Sequence, residues 1–303
     1  MLQSVKYEWK VMLHKKEFLV AFCAAMAFCV LSLLVSTNAA LRNCGADQSE
    51  VLSADSIFAG NASSGIWYFF QYLFPFLIVL PHSISYIQDI DCGALPLLTT
   101  RGDRKRYVFS KLTACFLGNV VIILIPFLLN LLLCHIAFPS NENSARWVYG
   151  VLQYDGILLG TNHSYQTAYG ALPFLRLYLF SPTLYNVLYI LILSLASGIV
   201  GVFVLCLSFF FHKQKAPLFL PVFLMVLGSS VLNAYCLSRA VSDASYKYVN
   251  YNLMDYFAAF GYRGQSPYYI LGVAAVLLVF CAFAVRHVLR ADEQLGGVKR
   301  AAR

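Results

Sequence analysis

Charge is what this chain has least of. Only 12% of its 303 residues are Asp, Glu, Lys or Arg, against about a quarter in an average soluble domain. With 60% of the residues hydrophobic, the deficit points away from a soluble domain and to an integral membrane protein. The chemistry-bearing motifs are missing too. There is no G-x-x-x-x-G-K-[ST], so the chain does not bind ATP through a P-loop of its own, and no H-E-x-x-H of a zinc protease. No C-x-x-C pair or zinc spacing occurs among the nine cysteines, and no metal site is expected. Gly264-Gln265-Ser266-Pro267 lacks the glycine that follows the serine in intramembrane proteases, and His287 lies about a membrane thickness away. No catalytic residue is expected.

What is present is long apolar runs. Six segments, 18–36, 66–87, 112–138, 184–211, 217–237 and 267–285, can cross a bilayer and contain no Asp, Glu, Lys or Arg. The fold class expected is therefore all-α, a polytopic membrane protein with six transmembrane helices. No carboxylate inside a span offers a proton or sodium relay. Prolines 75, 81, 126 and 221 predict kinks. His82 and His135 fall in the spans and read as helix-packing hydrogen bonders. Most cysteines lie in the runs as small packing residues, and a Cys44–Cys236 disulfide is one further option.

The positive-inside rule sets the direction. With the N-terminus in the cytoplasm, sixteen basic residues fall inside (Lys6, Lys10, Lys15, Lys16; Arg101, Arg104, Lys105, Arg106, Lys111; Lys213, Lys215; Arg286, Arg290, Lys299, Arg300, Arg303) and six outside (Arg42, Arg146, Arg176, Arg239, Lys247, Arg263). Both termini are expected in the cytoplasm, in a plasma membrane, and the source is expected to be bacterial. The net charge of +8 fits cytoplasmic loops and anionic lipid, with no nucleic-acid partner. The first run continues too long for the core of a cleaved signal and reads as a retained span.

The expected organisation is an interfacial helix at 1–16, a transmembrane domain at 17–290, a cytoplasmic loop at 88–111, a large extracellular loop at 139–183 and a cytoplasmic tail at 291–303. At 100° per residue, Leu2, Val5, Trp9, Met12 and Leu13 share one stripe, which predicts an amphipathic helix with Trp9 at headgroup depth. Ser194-x-x-x-Gly198 and Ser197-x-x-x-Gly201 are small-xxx-small pairs that admit a close helix, from this chain or a second copy. Tyr251, Tyr256, Phe257 and Phe260 read either as an aromatic belt or as an outer gate for an amphipathic substrate. Asn61 and Asn162 head glycosylation sequons that carry no meaning in a bacterial protein.

One stretch asks for more than topology. In "QDIDCGALPLLTTRGDRKRYVFSK" the basic residues keep the loop inside, but a small apolar segment between acidic and basic ends is not needed for that. It suits a short surface helix that offers an apolar knob and charged flanks to a soluble partner. The pattern resembles the membrane subunit of type 2 ABC exporters, the permease family of drug, lantibiotic and bacitracin-type peptide transporters. The matching positions are Asp89 and Asp91, Gly93-Ala94, Leu97-Leu98-Thr99, Arg101 and Arg104, Tyr107, and Lys111. Pro96 interrupts the leucine run, and the loop between the third and fourth spans is long, whereas many relatives carry their extracellular elaboration between spans five and six. The resemblance implies that 88–111 is an ATPase-coupling loop. It also implies a dimer with a second permease copy or a paralogue, and ATP with Mg bound on a separate ABC ATPase subunit rather than on this chain. An alternative is a non-transporting immunity or sensor protein that binds a peptide without an ATPase.

Overall fold

The computed structural model describes residues 2–43, 54–61, 66–81, 83, 85–93, 104–138, 174, 177, 180–210, 218–242, 249–259 and 266–301. Their elements are helical: α1 (Leu2–Leu13), α2 (Lys16–Asn43), α3 (Ala54–Ile57), α4 (Ile66–Val79), α5 (Ser85–Asp91), α6 (Arg104–Ala137), α7 (Pro182–Ser208), α8 (Phe219–Ser242), a 3-10 turn (Leu253–Tyr256) and α9 (Pro267–Ala301). Five helices contain stretches long and apolar enough to cross a membrane: Lys16–Asn38, Lys105–Ala137, Pro182–Ser208, Phe219–Ala240 and Tyr268–Arg290. On that count the chain is a multi-pass helical membrane protein.

The count differs from six because the expected second span is broken. Helix α4 stops at Val79 after 14 residues, short of a full crossing, and the chain restarts as α5. Pro81 is the physical reason: it brings no N–H and pushes Leu80 away from helical geometry. Ser83 fills the gap, with its Oγ 3.1 Å from Ile78 O and 3.3 Å from Gly201 O. Pro75 and Pro126, also expected to kink, lie inside continuous helices. Pro221 falls in the first turn of α8, where the missing N–H costs least.

Boundaries shift at the charged ends. Helix α6 starts at Arg104, eight positions before the expected 112, so Tyr107 and Lys111 stand on a helix and not on a loop. Its 33-residue apolar stretch is about 50 Å long at 1.5 Å per residue, well beyond a hydrocarbon core of about 30 Å. Helix α9 runs on to Ala301, through the region expected as a tail.

Helix α1 forms within the expected residues, and its buried face overlaps the expected stripe at Met12 and Trp9 but adds Glu8 and leaves Leu13 out. Met12 and Glu8 are buried one turn apart, Trp9 is half-buried, and Leu13 is 44% exposed. Met12 seats against Gly118 of α6, where a Cβ would collide with its sulfur. The helix therefore docks on the bundle through a face that carries an acidic side chain.

The pair α6–α7 is the spine. Ser197 Oγ lies 2.6 Å from Ser194 O in its own helix and 3.1 Å from Asn119 O across the pair, Gly198 faces Phe116 and Val120, and Gly201 faces the Asn119 side chain. The close neighbour of the small-residue face is thus α6 of the same chain. An aromatic cluster packs α2, α4 and α6 together, with Phe70 5.0 Å from Phe28, 5.1 Å from Trp67 and 5.2 Å from Phe127 between ring centres. A second cluster, including Tyr86, Tyr107, Cys115, Phe209, Cys281 and Val288, joins α5, α6, α7 and α9 at the end that carries α1.

Candidate functional site

At that same end α1, α5 and α6 converge on one buried lysine. Lys111 is 2% exposed, a position a cation occupies only when paired. Its Nζ lies 2.6 Å from Asp89 Oδ2 on α5 and 3.7 Å from Glu8 Oε2 on α1, and donates to Ser85 O at 3.5 Å. Tyr107, one turn earlier on α6, donates its hydroxyl to the same Asp89 oxygen at 2.5 Å. Its ring lies under the ammonium, 5.3 Å from Nζ to the centroid. A lateral branch continues the network, as Lys15 Nζ donates to Gln88 Oε1 at 2.7 Å and Gln88 Nε2 donates to Glu17 Oε1 at 3.3 Å.

The local sequence makes this arrangement. Tyr107 and Lys111 are four apart and so share a face of α6. The break at Pro81 turns α5 so that Ser85 and Asp89, also four apart, meet that face. Burial raises the Glu8 carboxyl above its usual range, opposed chiefly by the Lys111 charge. Burial also lowers the Lys15 ammonium, with the Lys111 charge adding to the effect. The cluster cross-links three helices through charge-assisted bonds in a low-dielectric setting, where a broken pair is costly.

Three of the residues expected in the coupling loop, Asp89, Tyr107 and Lys111, come together here. Asp91 and Gly93 are exposed on the segment that leads away. Gly93 has φ +66, and nothing stands within 4 Å of where a Cβ would be. Arg104 opens α6, and its side chain lies outside the described residues, as do Ala94, Leu97, Leu98, Thr99 and Arg101. Glu8, Lys15, Ser85 and Gln88 were not anticipated. The available signal was Glu8 and Met12 at helical spacing on one face of α1.

Of the four expected outer aromatics, Tyr251 and Tyr256 both pack against the Tyr269 ring, at 5.4 and 5.5 Å between ring centres. Tyr256 is buried, donates to Asn250 O at 2.7 Å and accepts from Ser266 N at 2.9 Å. Phe257 lies in the main core, Tyr251 is half-buried against Tyr269, and Phe260 is outside the described residues. Cys236 is a free buried thiol, and Cys44 lies outside the described residues. Beneath the aromatics, Asp255 accepts from Asn252 Nδ2 at 2.9 Å, Asn250 Nδ2 at 3.1 Å and Gln71 Nε2 at 3.5 Å. Burial raises its carboxyl to about 6 against these amides.

Comparison with protein-family models, curated proteins and solved structures finds no match.

Proposed function

We propose that this chain is the membrane permease subunit of an ABC exporter, moving an amphipathic peptide, drug or lipid-like substrate across the plasma membrane. ATP and Mg act on a separate ATPase subunit that docks on the 88–111 segment. A second permease copy or paralogue completes the pathway, and the N-terminus and C-terminus face the cytoplasm.

The observation that carries the reading is the Lys111 tie. The docking segment leaves α5 just after Asp89 and re-enters the bundle on α6 just before Tyr107 and Lys111. Both of its ends are thus pinned to one buried ion pair, which also holds α1 through Glu8. A push on this segment moves α5, α6 and α1 as one body, and α6 carries it to α7 through the Ser197–Asn119 contact. Chemistry agrees with topology here, since an ATPase outside the membrane needs a rigid lever inside it.

The test is purification in mild detergent from the native membrane. An ABC ATPase subunit is expected to co-purify with nucleotide turnover that depends on this chain, and Lys111→Ala is expected to uncouple that turnover from substrate. Repeated isolation of the chain with no ATPase, and no stimulated turnover, overturns the reading.

A further inference from the structure

The end of the bundle opposite α1 holds a second polar cluster, which the transport reading does not use. Asp55 on α3 is buried among apolar neighbours, with its side chain 7% exposed. The hydroxyl oxygen of Thr183, near the start of α7, lies 3.3 Å from Asp55 Oδ2 and 3.1 Å from His135 Nε2 near the end of α6, and that Nε2 is 3.7 Å from Asp55 Oδ1. His135 Nδ1 lies 2.9 Å from Leu131 O. Asn186, one turn after Thr183, donates Nδ2 to Asp55 Oδ1 at 3.0 Å and to Asp55 O at 3.2 Å. Among the described residues the titratable groups facing Asp55 are His135 and Cys134, both of α6. Helix α7 presents Thr183 and Asn186, and α2 adds apolar Leu33 to the cluster around Ala54, Ile57 and Cys134.

Counting protons decides what this cluster does. A carbonyl only accepts, so Nδ1 of His135 carries a hydrogen. If Nε2 is bare, it accepts from Thr183, whose single hydrogen is then used up. The contact between Thr183 and Asp55 then holds only if Asp55 is protonated and donates. If Nε2 carries a hydrogen, it donates to Thr183, and Thr183 donates to an ionised Asp55. The two bonded arrangements differ by a shift of two hydrogens along the chain Asp55–Thr183–His135, and each holds one proton. With that proton gone, one of the two bonds is lost.

We propose that Asp55, Thr183 and His135 form a one-proton binding site whose occupancy latches α3 onto the α6–α7 pair. A proton entering the cluster completes the chain of bonds. Its departure breaks one of those bonds and loosens α3 against the bundle end, where the bonds from Asn186 remain. The sign follows from burial, which raises the Asp55 carboxyl, opposed by the His135 charge and the bonds from Asn186 and Thr183. A carboxyl raised in the folded state adds stability below its unfolded value, and that stability is lost as pH rises through the folded value. The latch therefore closes in acid and opens in alkali. The inference does not depend on the transport reading.

Hydrogen exchange of the 54–61 segment in the full chain tests it, corrected for the intrinsic rate at each pH. Wild-type protection is expected to fall by about tenfold between about pH 5.5 and 8.5. Asp55→Asn places an amide oxygen where Asn186 donates and an NH2 where Thr183 accepts, so it copies the protonated form. Its protection is expected to stay high, changing less than about twofold over the same range. Thr183→Val breaks the chain of bonds and is expected to give low protection at both pH values. A pH-independent wild type, or an Asp55→Asn variant that loses protection as the wild type does, overturns the latch. The Asp55→Asn arm decides the matter even if Thr183→Val does not fold.

Discussion

Lys111 Nζ sits 2.6 Å from Asp89 Oδ2, each on a different helix at one end of the bundle, two residues before the end of α5 and seven after the start of α6. The pair closes the base of the very segment that the resemblance marks as a docking site. Buried ion pairs are poor sources of net stability, since desolvation cancels most of the attraction. Their effect is on geometry, because removing one member leaves a bare charge in a dry place.

Lys111→Met follows directly from that. It strands Glu8 and Asp89 near each other in a buried site, and the expected loss is about 3–5 kcal/mol. The same substitution combined with Glu8→Gln and Asp89→Asn removes all three charges of the tie and is expected to recover most of the loss. Thermal unfolding in detergent reads both. A single variant as stable as the wild type contradicts the tie.

The α6–α7 spine gives a second expectation. A Cβ at Gly198 stands 2.7 Å from the Phe116 ring, and one at Gly201 strikes the Asn119 side chain, whose Nδ2 donates to Cys115 O at 3.0 Å. Gly201→Ala is expected to cost about 1–3 kcal/mol through overpacking. Gly228 and Gly272, with nothing within 4 Å, provide the control. Alanine there is expected to stabilise by up to about 1 kcal/mol, as for a helix glycine with no packing role. Denaturation midpoints of the three variants order the sites.

Asp255 predicts a pH dependence with a definite sign. Its carboxyl is raised to about 6 by burial. The stability it contributes is fully present below the ordinary carboxylate range and is lost as pH rises through about 6. Unfolding midpoints are therefore expected to fall between about pH 5 and 7, and the wild type minus Asp255→Ala difference curve isolates this group from the histidines. A flat difference curve contradicts the assignment.

The helical class and most of the long crossings were legible, because runs of apolar residues without charge have one physical outcome in a bilayer. The broken second crossing was half legible. Four prolines were visible, but only Pro81 breaks a helix. After Pro81 the chain is met by Ser83, whose Oγ lies 3.3 Å from Gly201 O on α7, a tertiary contact that spacing does not reveal. The coupling site divides in the same way. Tyr107 and Lys111 share a helix face that spacing alone reveals once the helix start is known. Glu8 was hidden because a charge on an amphipathic helix is normally assigned to its wet face, and only the docking of α1 on Gly118 turns it inward. The proton site was out of reach for a stronger reason. His135 was read singly as a packing residue, and Asp55 and Thr183 meet it only through two other elements.

Gly93 tests the lever itself. It follows the end of α5 with φ +66, a region that costs most side chains about 1–2 kcal/mol. Open space surrounds it, so any effect of a substitution comes from backbone strain and not from collision. Gly93→Ala is expected to leave membrane insertion unchanged and to lower stability by no more than that strain of about 1–2 kcal/mol. It is expected to bias the chain's exit from α5 and so lower permease-dependent ATP turnover by about fivefold, the factor equivalent to roughly 1 kcal/mol. Asn tolerates this conformation far better than Ala, so Gly93→Asn is expected to keep most of the turnover. If Asn and Ala impair equally, the direction in which the segment leaves α5 is not what transmits the push. If neither impairs, docking force enters the bundle elsewhere than through the end of α5.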